Sequence, residues 1–327
     1  SAAALSPVAV PARRVMLNRF VLTIALFSLL LVGDALAQGE PWTTVEEIEL
    51  RPTNPAHYLE FGVDLRLRGS TLLVGSRASF TGSTHVFDGS SGTWLETATL
   101  RPASEPSSGA CDISGETIVA GAYANGAGGG QSGAVYVFER VGGVWTETDF
   151  LLAPAPLAND RFGDSVALQG DTLVVGAPRS LANEPGHAFV FERVGGAWGV
   201  VAELSAPNAV EGDEFGTQVA IDGDVIAVGA WEDSSSRGAC HVFRRTGGQW
   251  GLEETLRGSD TVHSDLFGWS VALEGDTIAV SALRGSGTRG AVFVFRHGPA
   301  GWSEEAKLTQ YDNHVGDHLG SSVALSG

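Results

Sequence analysis

"FGDSVALQGDTLVVGAP", Phe162 to Pro178, decides the reading of this chain, because it returns. "FGTQVAIDGDVIAVGAW" follows from Phe215, and "FGWSVALEGDTIAVSAL" from Phe267. Aligning on the glycine that closes "VALxG" places equivalent glycines at Gly69, Gly115, Gly170, Gly223, Gly275 and Gly327. Upstream, Phe61, Ser107, Phe162, Phe215, Phe267 and Leu319 share one slot. A second marker, formed by Trp42, Trp94, Trp145, Trp198, Trp250 and Trp302, keeps the same beat of about 52 residues. Two independent markers at one period signify tandem structural units.

Each unit is predicted to hold four short strands. "SVAL" is the first, and Gly-Asp (170–171, 223–224, 275–276) turns the chain into "TLVVGA", the second. A variable Gly- and Ser-rich loop leads to the third, "AVYVFER" (134–140) or "HAFVFER" (187–193). A Gly-Gly turn then opens a fourth strand at the tryptophan. In "AVYVF", Tyr136 and Phe138 point one way while Val135 and Val137 point the other, so both faces are apolar. Such a sheet must be sandwiched between neighbours. Radial stacking achieves this, which predicts an all-β fold, a β-propeller of four-stranded antiparallel blades. The five complete blades cover about 61–101, 107–153, 162–206, 215–257 and 267–309. Partial strands at 42–50 and 319–327 suggest a split or truncated further blade, with six or seven in the intact protein.

Composition bounds the rest. The 327 residues are 43% hydrophobic and 18% charged, with a net charge of −18, enough apolar material for a core. So acidic a surface repels phosphate backbones and anionic lipid, which argues against nucleic acid as a partner. Residues 16–37 are read as an export signal: a short basic start at Met16 to Arg19, an apolar run over 20–33 and "ALA" (35–37) before Gln38. Residues 1–15 are read as upstream read-through, and 38–327 as the mature propeller. The apolar run is short for a membrane span, so no membrane insertion of the mature chain is expected, and the place of action is secreted, periplasmic or cell surface. A twin-arginine signal at Arg13 and Arg14 is the rival export reading. Cys111 and Cys240 replace apolar strand residues two repeats apart, which predicts buried free thiols.

With Phe-Gly at one end and Gly-Ala-Pro at the other, the quoted stretch resembles the FG-GAP repeat of the integrin α-subunit propeller. It is more similar to the bacterial secreted form, where "SGDTLVVGAP" is followed by "GAVYVFER" and "GGxW". The resemblance covers about residues 42–327. Kelch repeats share the Gly-Gly doublet and the Trp but lack the "GDT…VVGA" hairpin. The integrin form implies calcium loops of the type Asp-x-Asp-x-Asp-Gly between the first two strands. Here only "QGDTL" (169–173), "DGDVI" (222–226) and "EGDTI" (274–278) stand there. One or two Asp per turn cannot supply six to eight oxygens. No metal or other cofactor is therefore expected at those turns, calcium elsewhere staying open.

Phe61, Phe162, Phe215 and Phe267 are read as inter-blade core rather than a ligand platform. Trp94, Trp145, Trp198, Trp250 and Trp302 are read the same way, with more exposure. Asp160, Asp213, Asp265 and Asp317, two residues before the Phe slot, are read as Asx-type turn closers. His85 and His241 fall in the third-strand slot of Tyr136, Phe189 and Phe293, a core position. No nucleophile elbow, metal-type His pair or phosphate cradle emerges, so no catalytic residue is assigned.

Function is expected where the copies differ. At one position on the face shared by the second-to-third-strand loops and the inter-blade crossings stand Arg77, Tyr123, Pro178, Trp231 and Leu283. Trp231 opens "WEDSSSRG", with Glu232 and Asp233 beside it, and Trp269 breaks the repeat just after Phe-Gly. Tyr123, Trp231, Glu232, Asp233 and Trp269 are the candidate ligand-binding residues. The expected function is a secreted, non-catalytic binding or adhesion module recognising a protein or glycan at a cell surface. Two alternatives remain: a polysaccharide hydrolase or lyase with channel carboxylates, and a structural cell-surface component.

Overall fold

The computed structural model describes residues 50–53, 60–77, 82–102, 109–178, 185–207, 209–309 and 316–326. The chain divides into two compact units at Arg51 and Pro52. Of the first unit only Leu50 and Arg51 are described, so the export segment and nearly all of the partial strand at 42–50 lie outside the described residues.

The second unit is all-β, a propeller of five four-stranded antiparallel blades. In the first blade the strands are Glu60–Arg68, Thr71–Arg77, Ser83–Asp88 and Leu95–Leu100. The second has Cys111–Ser114, Thr117–Gly121, Val135–Val141 and Val144–Leu151. Ser165–Gln169, Thr172–Ala177, His187–Val194 and Ala197–Leu204 make the third. Phe215–Asp222, Val225–Ala230, Ala239–Thr246 and Gln249–Leu256 make the fourth. The fifth is built from Phe267–Glu274, Thr277–Ala282, Ala291–Gly298 and Gly301–Leu308. Strands pair in chain order within every blade, and the first strands of successive blades pack on one another as the inner wall.

Glycine makes the turns. Gly170, at φ 56°, enters the left-handed region at the first hairpin, where a side chain is strained. In the outer hairpin Gly195 and Gly196 both have positive φ, the signature of a tight turn matched to strand twist. Each outer strand then carries one bulge at an equivalent place. In the fourth blade Val242 pairs with Glu254 and Phe243 with Leu252, leaving Glu253 unpaired. A bulge in the outermost strand blunts an edge that otherwise invites pairing with another chain.

The blades meet backbone to backbone. A Cβ built on Gly176, the glycine of "VVGAP", would overlap the carbonyl oxygen of Gly216, the glycine of the next "FG". Gly75 with Gly109, Gly121 with Gly163, and Gly229 with Gly268 repeat the contact. The two glycines of the motif therefore face each other across a blade boundary, which is why both are copied. Parallel bridges at the same seams join Gly133 to Phe162, Gly238 to Phe267 and Gly290 to Leu319. At the opposite end, the residue before each turn glycine caps the next blade's turn. Gly170 N–H donates to Ser114 Oγ (2.9 Å), Gly223 N–H to Gln169 Oε1 (2.6 Å) and Gly275 N–H to Asp222 Oδ2 (2.6 Å).

Between blades the apolar faces close into separate cores. Phe162, Phe215 and Phe267 are fully buried, each packed between its own blade and the preceding one. Phe215 meets His241 and Phe243 of its own third strand at ring distances of 5.4 and 6.1 Å. Phe61 is half-buried against His85 and Phe87. The repeating tryptophans sit farther out. Trp94, Trp145, Trp198 and Trp250 are half-buried, and Arg193 and Arg245 cover the rings of Trp198 and Trp250 at 5.4 and 5.9 Å. They open the outermost strands, and Trp145, Trp198 and Trp250 pack on the edges of the inter-blade cores beneath an arginine of their own sheet. Among the described members of the set Trp302 alone is buried, its Nε1–H donating to Glu253 of the fourth blade at 3.1 Å.

Cys111 and Cys240 are buried free thiols, and burial pushes the Cys240 thiol up to about 12, leaving it inert. The stretch 319–327, expected as a first strand, forms no strand over its described residues. A strand exists only through its ladder, and the described chain offers Leu319 a single bridge, to Gly290.

The seam contact makes a direct prediction. Gly229→Ala should cost about 3 kcal/mol of unfolding free energy, because the blades cannot shift apart without losing their core. Gly199→Ala, on an outer strand with open space around it, should be neutral or up to about 1 kcal/mol stabilising. Denaturant unfolding of the two variants checks the contrast, and equal costs would contradict it.

Candidate functional site

The crossings that lead into each blade are built alike. Asp160, Asp213 and Asp265 are buried, and their carboxylates accept the N–H of Leu157, Val210 and Val262 at 2.6, 2.8 and 2.9 Å. Each of these carboxylates thus closes its own turn. The residue after each Asp then takes a left-handed conformation: Arg161 at φ 56°, Glu214 at φ 56° and Leu266 at φ 59°. His318 does the same at φ 54°. Each such non-glycine residue costs about 1 kcal/mol, and after Arg161, Leu266 and His318 a seam bridge fixes the next residue. The backbone is copied while the side chain it presents changes from blade to blade.

Those changing side chains form an arc over one face. In the first blade Arg77 donates through Nε and Nη2 to Glu60 Oε2 at 3.0 and 2.8 Å, and it also interacts with Tyr123 of the second blade. The guanidinium of Arg161 lies 5.1 Å from the Tyr123 ring centre and donates to both oxygens of Asp164, at 2.9 and 3.1 Å. Burial raises the Asp164 carboxyl above its ordinary range against the pull of Arg161 and Arg77. Glu214, at the next crossing, rises to about 7: burial is the main cause, Arg161 opposes it, and Asp164 and Glu232 add repulsion.

The arc continues into the fourth blade. Trp231 meets Trp269 of the fifth edge to face, with ring centres 5.5 Å apart and planes at 64°. Trp269 is 37% exposed and Trp231 is half-buried. "WEDSSSRG" turns with three consecutive left-handed residues, Ser234, Ser235 and Ser236. Two anchors hold it: Ser236 donates its hydroxyl to Glu232, and Asp233 Oδ1 accepts from Arg257 Nη2 at 2.8 Å. Burial alone would raise the Asp233 carboxyl, but His241 Nε2 at 3.6 Å and the Arg257 hydrogen bond outweigh it and hold it below the usual range.

Of the candidate residues, then, Trp231 and Trp269 are brought together, Glu232 follows Trp231 in the same turn and holds Ser236, and Tyr123 contacts two arginines. Asp233 is buried and occupied, and supports the turn from beneath. Arg161, Asp164 and Glu214 were not singled out from sequence, yet a signal existed. Asp164 fills the slot of Trp269, and Arg161 and Glu214 fill the slot of Leu266, both positions where the copies disagree.

A second constellation occurs in the first blade. Ser83 Oγ is 3.0 Å from His85 Nε2, and His85 Nδ1 is 2.7 Å from Glu96 Oε1. The order matches nucleophile, base and orienting carboxylate, but Ser83 and His85 are each only 1% exposed. Glu96 Oε2 accepts both the N–H and the hydroxyl of Thr53 at 2.5 Å, and Glu304 holds Ser259 through the same two groups in the fifth blade. A clasp that recurs without the serine and histidine is a structural one. Among the described residues no group of three or more His, Cys, Asp or Glu is gathered as a metal site requires, and no helix is long and apolar enough to cross a membrane.

The Glu214 environment has a measurable consequence. A carboxyl raised from 4.5 to about 7 by folding contributes stability below pH 4.5 that is lost as pH climbs through 7. Glu214→Gln escapes that loss. Its melting temperature should match the parent at pH 4 and exceed it by about 2–4 °C at pH 8. A constant offset across the range would refute the assignment.

Comparison with known proteins agrees with this architecture. The FG-GAP repeat family matches residues 145–191, 198–243 and 250–295, three consecutive copies. No curated protein matches the chain. Among solved structures, a protein from Lactobacillus plantarum is similar, with 15% sequence identity and a TM-score of 0.52 over 75% of this chain and 70% of that one. At that identity the likeness concerns the fold alone. The copied motifs in register and the five four-stranded blades docked through their glycines thus make a β-propeller that carries FG-GAP repeats over residues 145–191, 198–243 and 250–295.

Proposed function

We propose that this protein is an exported binding module that takes a glycan on the face carrying the arc. The observation that carries the reading is the Trp231–Trp269 corner: two tryptophans absent from the other copies, meeting across a blade boundary, one of them well exposed. Aromatic faces stack on the C–H faces of a pyranose ring, and partly exposed polar groups such as Glu232 and Glu214 supply the directional contacts to hydroxyls. The strained, doubly anchored turn holds Trp231 in place before a ligand arrives, which lowers the entropy cost of binding. The apolar segment at 20–33 supports export, which brings such a face to extracellular sugars.

A specific observation favours a second reading. Glu214 keeps its proton up to about pH 7 beside Asp164 and Glu232, the pairing of acid and carboxylate used in sugar hydrolysis or lysis. The two readings part on turnover: the enzyme consumes oligosaccharide and Glu214→Gln stops it, whereas the binding module leaves its ligand intact.

A glycan array read with the parent chain tests the proposal. Trp231→Ala and Trp269→Ala should each weaken the selected sugar about tenfold or more while leaving the unfolding curve nearly unchanged. No bound glycan, or full affinity in both variants, would remove the reading.

A further inference from the structure

Resting on the glycan reading above, we propose that the sugar selected at this corner carries a free ammonium group, as in a de-N-acetylated hexosamine oligomer. The argument is charge complementarity at an aromatic corner. Trp231 and Trp269 stand edge to face, so an incoming group meets a ring face bordered by a second ring. An indole face carries negative quadrupole and attracts a cation within about 6 Å. Glu232 follows Trp231 in the same turn, and Glu214 lies close enough to Glu232 for their charges to repel.

The arginine acting on Glu214 is shared with other partners, and Arg237 of the same turn as Glu232 is directed to the Thr261 hydroxyl. Arg161 is engaged by both oxygens of Asp164 and by the Tyr123 ring. The partner of Glu232 is the neutral Ser236 hydroxyl. Arg284 takes the Glu232 slot in the fifth blade's turn and is exposed, so the negative charge is confined to the fourth-blade side of the corner. The chain's net charge of −18 adds a field that draws cations and turns uronic acids away. An N-acetyl group or a plain hydroxyl at the same carbon would leave the acids facing a neutral ligand, which is discrimination by an unmatched charge.

The test titrates the intact chain with glucosamine hexamer, N-acetylglucosamine hexamer and cellohexaose, followed by tryptophan fluorescence and calorimetry at physiological salt. The free-amine oligomer should bind about tenfold more tightly than either neutral one. Trp269→Ala preserves the net charge and should weaken the free-amine oligomer about tenfold, whereas Glu232→Gln should narrow the preference without abolishing binding. Trp269→Leu keeps apolar bulk and removes the quadrupole, so the preference must fall with it even where Trp269→Ala fails to fold. Equal affinity for acetylated and free-amine oligomers, both lowered by Trp269→Ala, would leave glycan binding standing and overturn this inference. Free-amine binding indifferent to both Trp269 variants would be diffuse attraction of a polycation and would overturn it too. Failure of every oligomer to bind would remove the glycan reading and the inference together.

Discussion

Everything in this fold depends on how closely two backbones can approach. Where Gly176 meets Gly216, and at each equivalent seam, no Cβ fits between neighbouring blades. Close approach lets apolar faces interdigitate, and it lets the entering segment bridge to the preceding blade at Gly238 and Phe267. The fifth blade shows the constraint by its variation. Ser281 replaces the strand-two glycine, and its small side chain now lies against Gly320 of the following segment. The hydroxyl is not wasted, because it accepts the Ser270 N–H at 3.0 Å.

A scaffold fixed in this way separates two kinds of position. Buried aromatics, seam glycines and turn-closing aspartates must be copied, since each blade presents the same geometry to the next. The residue after each aspartate is forced into a left-handed conformation, and its side chain is half-buried at Arg161 and Glu214, exposed at His318 and buried at Leu266. Its identity is free to vary, and it does: Arg161, Glu214, Leu266 and His318 share one backbone position. Strain is thereby built into the places that carry chemical variety, with the seams bearing its cost.

The same logic explains why the charged arc and the tryptophan corner sit side by side. The slots of Trp231 and Trp269 belong to neighbouring blades, and here their side chains meet across the seam. In the fourth and fifth blades they are two indoles, whereas the third blade holds Asp164 in the Trp269 slot and pairs it with Arg161. Burial, with added repulsion from Asp164 and Glu232, then raises the proton affinity of Glu214.

The sequence by itself determined the repeat, the four strands of each blade, their turns and the buried Phe slot, because period-2 apolarity and left-handed glycines are local properties. It also pointed to Trp231 and Trp269 as departures from the copies. It did not reveal that the two rings touch, that Asp233 is consumed by Arg257, or that Arg161, Asp164 and Glu214 gather beside them. Nor did it show that arginines cover the rings of Trp145, Trp198 and Trp250 at the edges of the inter-blade cores. Those facts belong to the seam: residues some 50 positions apart in the chain become neighbours only when blades dock. Local pattern fixes what each blade is, and only the packing of blade on blade decides which of its uncopied side chains meet.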